Sequence, residues 1–352
     1  MAQSAVAERR KLISKSTELS DHVAELATVT NSILTNIKGQ SDVNEALTRK
    51  LLTLETRLSQ LEAKVRSASA APAASAVPAN SLPKILERAI QRLMQGQNTD
   101  KAIYLGDHLA LAQVLDHFKM YVDTRDIGIS PHLMFGGYWE IWITKIFCDL
   151  LRPGMTVVDV GANFGYYTLL AAAVVHPNGR VHAIEADPHN FEILSRNVEV
   201  NGYQDLVKIY QCAALNERRE VTLHQYRNHF GSNSIFSNRD DPRITNSVKV
   251  QGIPLDVLID TPVDFMKIDA EGCEPLIFDG MKEIIRRSPN IRIVMEFAPL
   301  MIRATMDPQE FLQRIRRTGL VCQAVSHQSK LETWPDERLL APEIHTIFLS
   351  RP

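Results

Sequence analysis

Residues 157–175, VVDVGANFGYYTLLAAAVV, pass from a β-branched run through a glycine-containing turn directly into an apolar helix. This unit constrains the fold more than any other stretch of the chain. A strand and a helix that are both apolar need cover on two sides, so they belong to a parallel sheet with helices on both faces. The same alternation recurs downstream, with strands expected at 156–160, 181–185, 207–211, 263–268 and 291–296 and helices at 166–175, 188–200 and 275–287. The chain end departs from it. LVCQAV (320–325) and EIHTIFLS (343–350) are strand-like with no helical pattern between them, which suits an antiparallel hairpin closing the sheet.

A strand, a glycine turn and a helix cradle nucleotides, flavins and S-adenosylmethionine alike. The dinucleotide fingerprint requires G-x-G-x-x-G, whereas the turn here reads Asp159-Val160-Gly161-Ala162-Asn163-Phe164-Gly165, with Asn163 in the place of a close-packed glycine. The next strand ends on Glu185, at the spacing of a carboxylate that accepts two ribose hydroxyls. Asp159, at the first strand's end, is placed to balance a cationic amino-acid tail and is poorly placed for a pyrophosphate. S-adenosylmethionine is therefore preferred over NAD as the cofactor. An NAD-dependent oxidoreductase is the alternative, and a coiled-coil scaffold with a degenerate cofactor-binding domain is a third reading, opposed by the intact Asp159, Gly161 and Glu185.

The stretches GGYWE (136–140), DVGANFGYYT (159–168), NG (201–202) and KIDAEGCE (267–274) resemble the FkbM-type S-adenosylmethionine-dependent methyltransferases over roughly residues 125–300. The resemblance implies an α/β fold with the class I methyltransferase, Rossmann-like seven-stranded sheet. It also implies methylation of a hydroxyl on a sugar, glycan or related metabolite. By position, Asp159, Gly161, Asn163 and Gly165 would hold the methionine portion, Glu185 the ribose, Ala214 the surroundings of the adenine, and Glu140 the cofactor tail. The methyltransferase domain is expected over 136–352, with a helical or lid region at 83–135 leading into it.

Methyl transfer to an alcohol needs an oxygen held in line with the methyl group and a group to take its proton. In open α/β sheets ligands bind at the carboxyl ends of the strands, where KIDAEG lies. Lys267 and Asp269 are two apart and share a face of an extended chain. A lysine in an apolar strand needs a counter-charge, for which Glu296 is the expected partner. Asp269 is the first candidate for base or orienting acceptor and Glu271 the second; for Glu271 the competing role is capping of the following helix. His229, in the polar loop RNHFGSNSIF, is a further candidate base. Tyr138, Trp139 and Trp142 offer faces for a sugar ring. Asp264 and Asp269 stand at opposite ends of one strand, so no metal site is expected.

The first part of the chain follows a different rule. With Leu12, Leu19, Leu26, Ile33, Gln40, Leu47, Leu54 and Leu61 at d and Ser16, Val23, Thr30, Ile37, Asn44, Leu51, Leu58 and Val65 at a, twelve of sixteen seam positions are apolar without a slip of phase. Residues 1–66 are thus expected to form an α-helical coiled coil joining copies of the chain, a dimer in preference to a trimer. An intrachain hairpin turning at Gly39 is the rival. The Ala/Ser/Pro-rich run 67–82 reads as a tether. The 39 Lys and Arg against 41 Asp and Glu give no field to draw in nucleic acid. No run of 18 apolar residues and no apolar leader is present, so neither a membrane span nor secretion is expected. The four cysteines form no CxxC pair, which fits free thiols in a cytoplasmic protein.

Overall fold

The computed structural model describes residues 102–236 and 241–352, together with Gln91. The heptad segment 1–66, the tether 67–82 and most of the stretch before Ala102 lie outside the described residues.

Strands β1 (Ala102–Gly106), β2 (Leu109–Val114) and β3 (Phe118–Asp123) form an antiparallel meander. Over 102–123 this corrects the helical half of the expectation of a helical or lid region at 83–135. The signal was a period of two: Ala110, Ala112 and Val114 on β2 stand opposite Val122, Met120 and Phe118 on β3, and all six are buried. Alternate side chains of two paired strands face the same way, so this one face seals the core. Helix α1 (Ile141–Leu150) follows.

The central unit continues with β4 (Thr156–Val160), helix α2 (Tyr166–Val175), β5 (Arg180–Glu185), helix α3 (Pro188–Val200) and β6 (Val207–Gln211). A small second sheet then forms from β7 (Ala213–Ala214), β8 (Arg219–Tyr226) and β9 (Ile244–Ile253). The chain returns with β10 (Phe265–Ile268), short helices α4 (Glu274–Asp279) and α5 (Lys282–Arg287), β11 (Arg292–Phe297) and helix α6 (Pro308–Arg317). It ends with β12 (Val321–Val325), β13 (Leu331–Glu332) and β14 (His345–Ser350). The single helix expected at 275–287 is in fact two, broken at Gly280 and Met281.

The large sheet runs β13-β12-β14-β11-β10-β4-β5-β6. From β11 to β6 the strands are parallel, while β14 is antiparallel to both β11 and β12. The sheet is mixed and eight-stranded rather than seven-stranded, because the two-residue β13 adds an edge. β12 and β14 pair as expected, but β13 and a helical turn at Asp336–Leu339 stand between them.

Alternation along the strands sorts side chains into two layers. Val157, Val181, Phe265 and Val294 face one layer with the buried faces of α1, α2 and α3, and Val158, Val160, Ile184 and Met266 face the other with α4, α5 and α6. All ten residues of α2 are buried, which accounts for its apolar character all round. The same parity puts Asp159, Lys267 and Glu296, each two residues beyond one of the first-layer positions, on the α1–α2 side of three adjacent strands. Lys267 is directly opposite Asp159 in register.

Candidate active site

The turn after β4 is shaped by close approach. Gly161 has φ +77°, and a Cβ there would lie 1.7 Å from the carbonyl oxygen of Asp269, so the loops after β4 and β10 touch backbone to backbone. Gly165 has φ +92°, and a Cβ there would meet Leu194 at 2.6 Å. Its absence lets the start of α2 pack on α3, so Gly165 is a packing residue here and does not reach the cavity wall, unlike the expected contact with the methionine portion. Asn163 takes φ +50° between them and its side-chain oxygen accepts from the Phe164 N–H.

A cavity of about 250 Å3 opens above these turns at the carboxyl ends of β4, β5 and β10. Of the residues singled out from the sequence, Gly161, Asn163, Glu185, Ala214, Glu140, Lys267, Asp269, Glu271 and His229 all line it. Asp159 lies beneath the wall, 1% exposed; one of its carboxylate oxygens accepts from the Thr168 hydroxyl at 2.6 Å and the other, Oδ1, has no partner. Among the expected aromatic residues Trp139 is on the wall, whereas Trp142 meets the His327 ring edge-on.

Glu185 is fastened at both oxygens: Oε2 accepts from the Asn163 N–H at 2.7 Å and Oε1 from the Asp187 N–H at 2.8 Å. Each oxygen keeps a second acceptor site, which is what two vicinal hydroxyls require. Burial raises its carboxyl to about 7. Asp187 caps α3 by accepting from the N–H groups of His189 and Asn190, and its other oxygen accepts from Asn233 in the roof loop. Asp126 ties down the roof from the other side, accepting from the N–H groups of Ile129, Ser130 and Phe230. His229 belongs to this roof.

The remaining wall is acidic around one cation. Lys267 Nζ donates to Asp269 Oδ2 at 2.8 Å, so the expected partnership with Glu296 is corrected: Asp269 is nearer along the same face. Burial works against the Lys267 charge, but Asp269 and Asp159 outweigh it and hold its ammonium above the ordinary lysine range. Glu296 is pushed up to about 10 by burial and by the neighbouring charges of Asp269 and Glu271, and its Oε2 has no hydrogen-bond partner. Burial, then the charge of Asp269, raises Glu271 to about 8 and Glu140 to about 7. The capping role weighed for Glu271 is not seen, since the following helix has no side-chain cap; Glu274 instead secures the loop before it, its Oε1 accepting from the N–H groups of Ala270 and Gly272. Glu140 (φ +38°), Asn163 and Glu271 (φ +51°) all hold left-handed backbone unusual for residues with side chains. Three such residues on one cavity wall mark a place where local strain is retained for positioning.

Carboxylates without enough cations, three of them (Asp159, Glu274 and Glu296) with an unpartnered buried oxygen, fit a ligand bearing positive charge. A turn too tight for any side chain at Gly161 and a ribose-type acid at Glu185 fit an adenosyl group. A mixed sheet of parallel strands with an inserted antiparallel β14 and this cavity at its carboxyl edge define a class I S-adenosylmethionine-dependent methyltransferase. Residues 159–321 match the methyltransferase FkbM domain, in agreement with the resemblance to the FkbM-type methyltransferases. Its cofactor is S-adenosylmethionine, which excludes the NAD-dependent alternative. Residues 89–213 also match the protein-L-isoaspartate(D-aspartate) O-methyltransferase model.

Among curated relatives, the protein-L-isoaspartate O-methyltransferase of Methanococcoides burtonii is 31% identical over 132 residues, covering 34% of this chain and 60% of the relative. That of Aeropyrum pernix is 43% identical over 58 residues, 16% of this chain and 22% of the relative. The chain thus spans less than two thirds of the length of each. Among solved structures, methyltransferase FkbM from Methylobacillus flagellatus aligns with a TM-score of 0.39 and 19% identity, covering 57% of this chain and 45% of that one. Among the described residues no helix is long and apolar enough to cross a membrane.

Tyr167, Glu274, Asp126 and Asp187 were missed from the sequence. Tyr167 carried a readable signal: a phenol inside a helix that is otherwise small and aliphatic must find a polar partner when buried. Glu185→Ala is expected to leave the protein folded and to weaken S-adenosylhomocysteine binding by about 1.5–3 kcal/mol, the worth of charge-assisted bonds to a diol. Calorimetry checks it, and unchanged affinity would place the ribose elsewhere.

Proposed function

We propose that the chain transfers a methyl group to a hydroxyl of a sugar, glycan or related hydroxylated metabolite. The observation that carries this reading is the Asp269 carboxylate, pinned by Lys267 at 2.8 Å yet open to the cavity, with Glu271 two residues on and Trp139 on the same wall. S-adenosylmethionine, when bound, supplies a methyl carbon made electrophilic by the attached sulfonium. Glu185 holds the ribose, and Glu140 and the buried Asp159 offset the positive charge of the amino-acid tail. Asp269 accepts from a hydroxyl adjacent to the reacting one and so fixes the acceptor relative to the methyl carbon. Lys267 keeps Asp269 from moving. Glu271 in its ionised form takes the hydroxyl proton, a task suited to a carboxylate made more basic than usual. Trp139 covers the apolar face of the ring.

The sign of the pH dependence follows from that assignment. A base must be ionised to act, and Glu271 is raised to about 8, so turnover is expected to climb with pH through an acid limb at or somewhat below about 8. Glu271→Gln should flatten that limb. A pH–rate profile of the two proteins decides it; an unaltered limb in the variant removes Glu271 from the role.

The acceptor class is tested by incubating the full chain with methyl-labelled S-adenosylmethionine and a panel of simple methyl glycosides and oligosaccharides, followed by mass spectrometry. An isoaspartyl peptide belongs in the same panel, because the isoaspartate methyltransferase model matches part of the chain. Label on a sugar oxygen supports the reading. Label on the peptide carboxyl and on no sugar would overturn it.

A further inference from the structure

We infer that Tyr167 is a positioning residue, holding the Lys267–Asp269 pair with its ring and Glu140 with its hydroxyl, so that one side chain sets both the acceptor-orienting and the cofactor-facing carboxylates. The inference rests on the roles proposed above for Asp269 and Glu140.

Tyr167 stands in the first turn of α2, directly after the glycine turn, and is 5% exposed. Its ring is fixed by two aromatic neighbours, Phe147 of α1 and Tyr166, each with its centroid 5.1 Å away. One face of the ring receives the Lys267 ammonium at 4.5 Å from the centroid. That ammonium makes its ion pair with Asp269 at 2.8 Å, so the carboxylate and the aromatic face are the groups that hold it. A desolvated ammonium over an aromatic face is at the strong end of such contacts. The hydroxyl then donates to Glu140 Oε2 at 3.3 Å. Glu140 occupies the N-cap position of α1, yet its side chain makes no capping bond and is held instead by the Tyr167 phenol together with the Trp139 side chain. Glu140, Tyr167, Lys267 and Asp269 therefore form one chain of contacts across the cavity wall.

The two functions of the side chain separate by substitution. Tyr167→Phe keeps the aromatic face and loses the hydroxyl; Tyr167→Leu loses both. The expected results are distinct. In the full chain with 13C-labelled lysine, Tyr167→Phe should leave the upfield ring-current shift of the Lys267 ε-methylene in place, and Tyr167→Leu should abolish it. Loss of the shift in both, or retention in both, overturns the lysine half of the inference, and this readout needs neither cofactor nor acceptor. In calorimetry with S-adenosylhomocysteine, both variants should bind roughly tenfold more weakly near pH 6, where an unsupported Glu140 is protonated, with the deficit shrinking towards pH 8.5. A deficit that ignores pH, or none at all, overturns the Glu140 half. The Phe variant also guards against misfolding, since it preserves the packing against Phe147. On an acceptor that the wild type methylates, Tyr167→Leu should lose roughly thirtyfold in kcat beyond Tyr167→Phe. If the lysine shift behaves as expected while kcat is equal in the two variants, it is the proposed role of Asp269 that fails, and the placement of Lys267 by Tyr167 stands.

Discussion

Asp269→Asn is expected to lower turnover by about 100-fold or more while S-adenosylhomocysteine binding stays within a few-fold of wild type. The amide keeps the shape of the side chain and removes its charge. Lys267, 5% exposed and paired with Asp269 at 2.8 Å, then faces an amide, and Asp159 opposite it in register becomes its nearest full negative charge. The lysine is then expected to turn towards Asp159, and the acceptor loses an anionic partner for the hydroxyl beside the reacting one together with the fixed geometry of that partner. Cofactor affinity is spared because the substitution changes only the side chain of Asp269 and leaves its backbone against Gly161, and the bonds that fasten Glu185, as they are. Steady-state kinetics paired with calorimetry tests the split. If turnover survived in Asp269→Asn and was abolished in His229→Ala, the group that holds the acceptor would belong to the roof loop rather than to the loop after β10.

Gly161→Ala should be the most damaging single methyl group in the catalytic domain. The added carbon would stand 1.7 Å from the Asp269 carbonyl oxygen, at a φ of +77° that side chains rarely adopt. Both neighbours are backbone, so no side-chain rotation relieves the contact, and the loops after β4 and β10 must part. Strain of this kind, together with loss of the contact between two loops, places the expected cost at about 3 kcal/mol or more. A lowered melting temperature and loss of S-adenosylhomocysteine binding are expected together, because the same two loops carry Asn163 and Asp269. A stable variant with ordinary affinity would mean that the loops are free to move apart, contrary to the close approach seen between them.

The distance between what was readable and what was not follows the range of the forces involved. The order of elements from β4 to β6, the parallel character of the sheet and the carboxylates at the strand ends were legible because each rests on local periodicity or on parity along a strand: Lys267 and Asp269 share a face in any extended chain. The meander of β1 to β3 was misread as helical, since alanines within LALAQV suit either state and only the pairing with FKMYVD makes their alternation meaningful. The packing of Gly165 on α3 was likewise not legible in the sequence. Whether a glycine is bare for a ligand or for a helix depends on what lies across from it, and here that is Leu194 of α3.

By itself, then, the sequence determined the α/β class, the glycine turn after β4 and the set of acidic residues that line the cavity, because these depend on residue type and spacing along the chain. The tertiary structure decided which carboxylate takes Lys267, that Tyr167 joins that pair to Glu140, that β14 slips between β11 and β12, and that Glu274 rather than Glu271 secures the loop after β10. Those outcomes depend on distances between segments far apart in sequence. An ammonium buried among several carboxylates pairs with the one that strand geometry brings nearest, and that distance exists only after the strands have assembled.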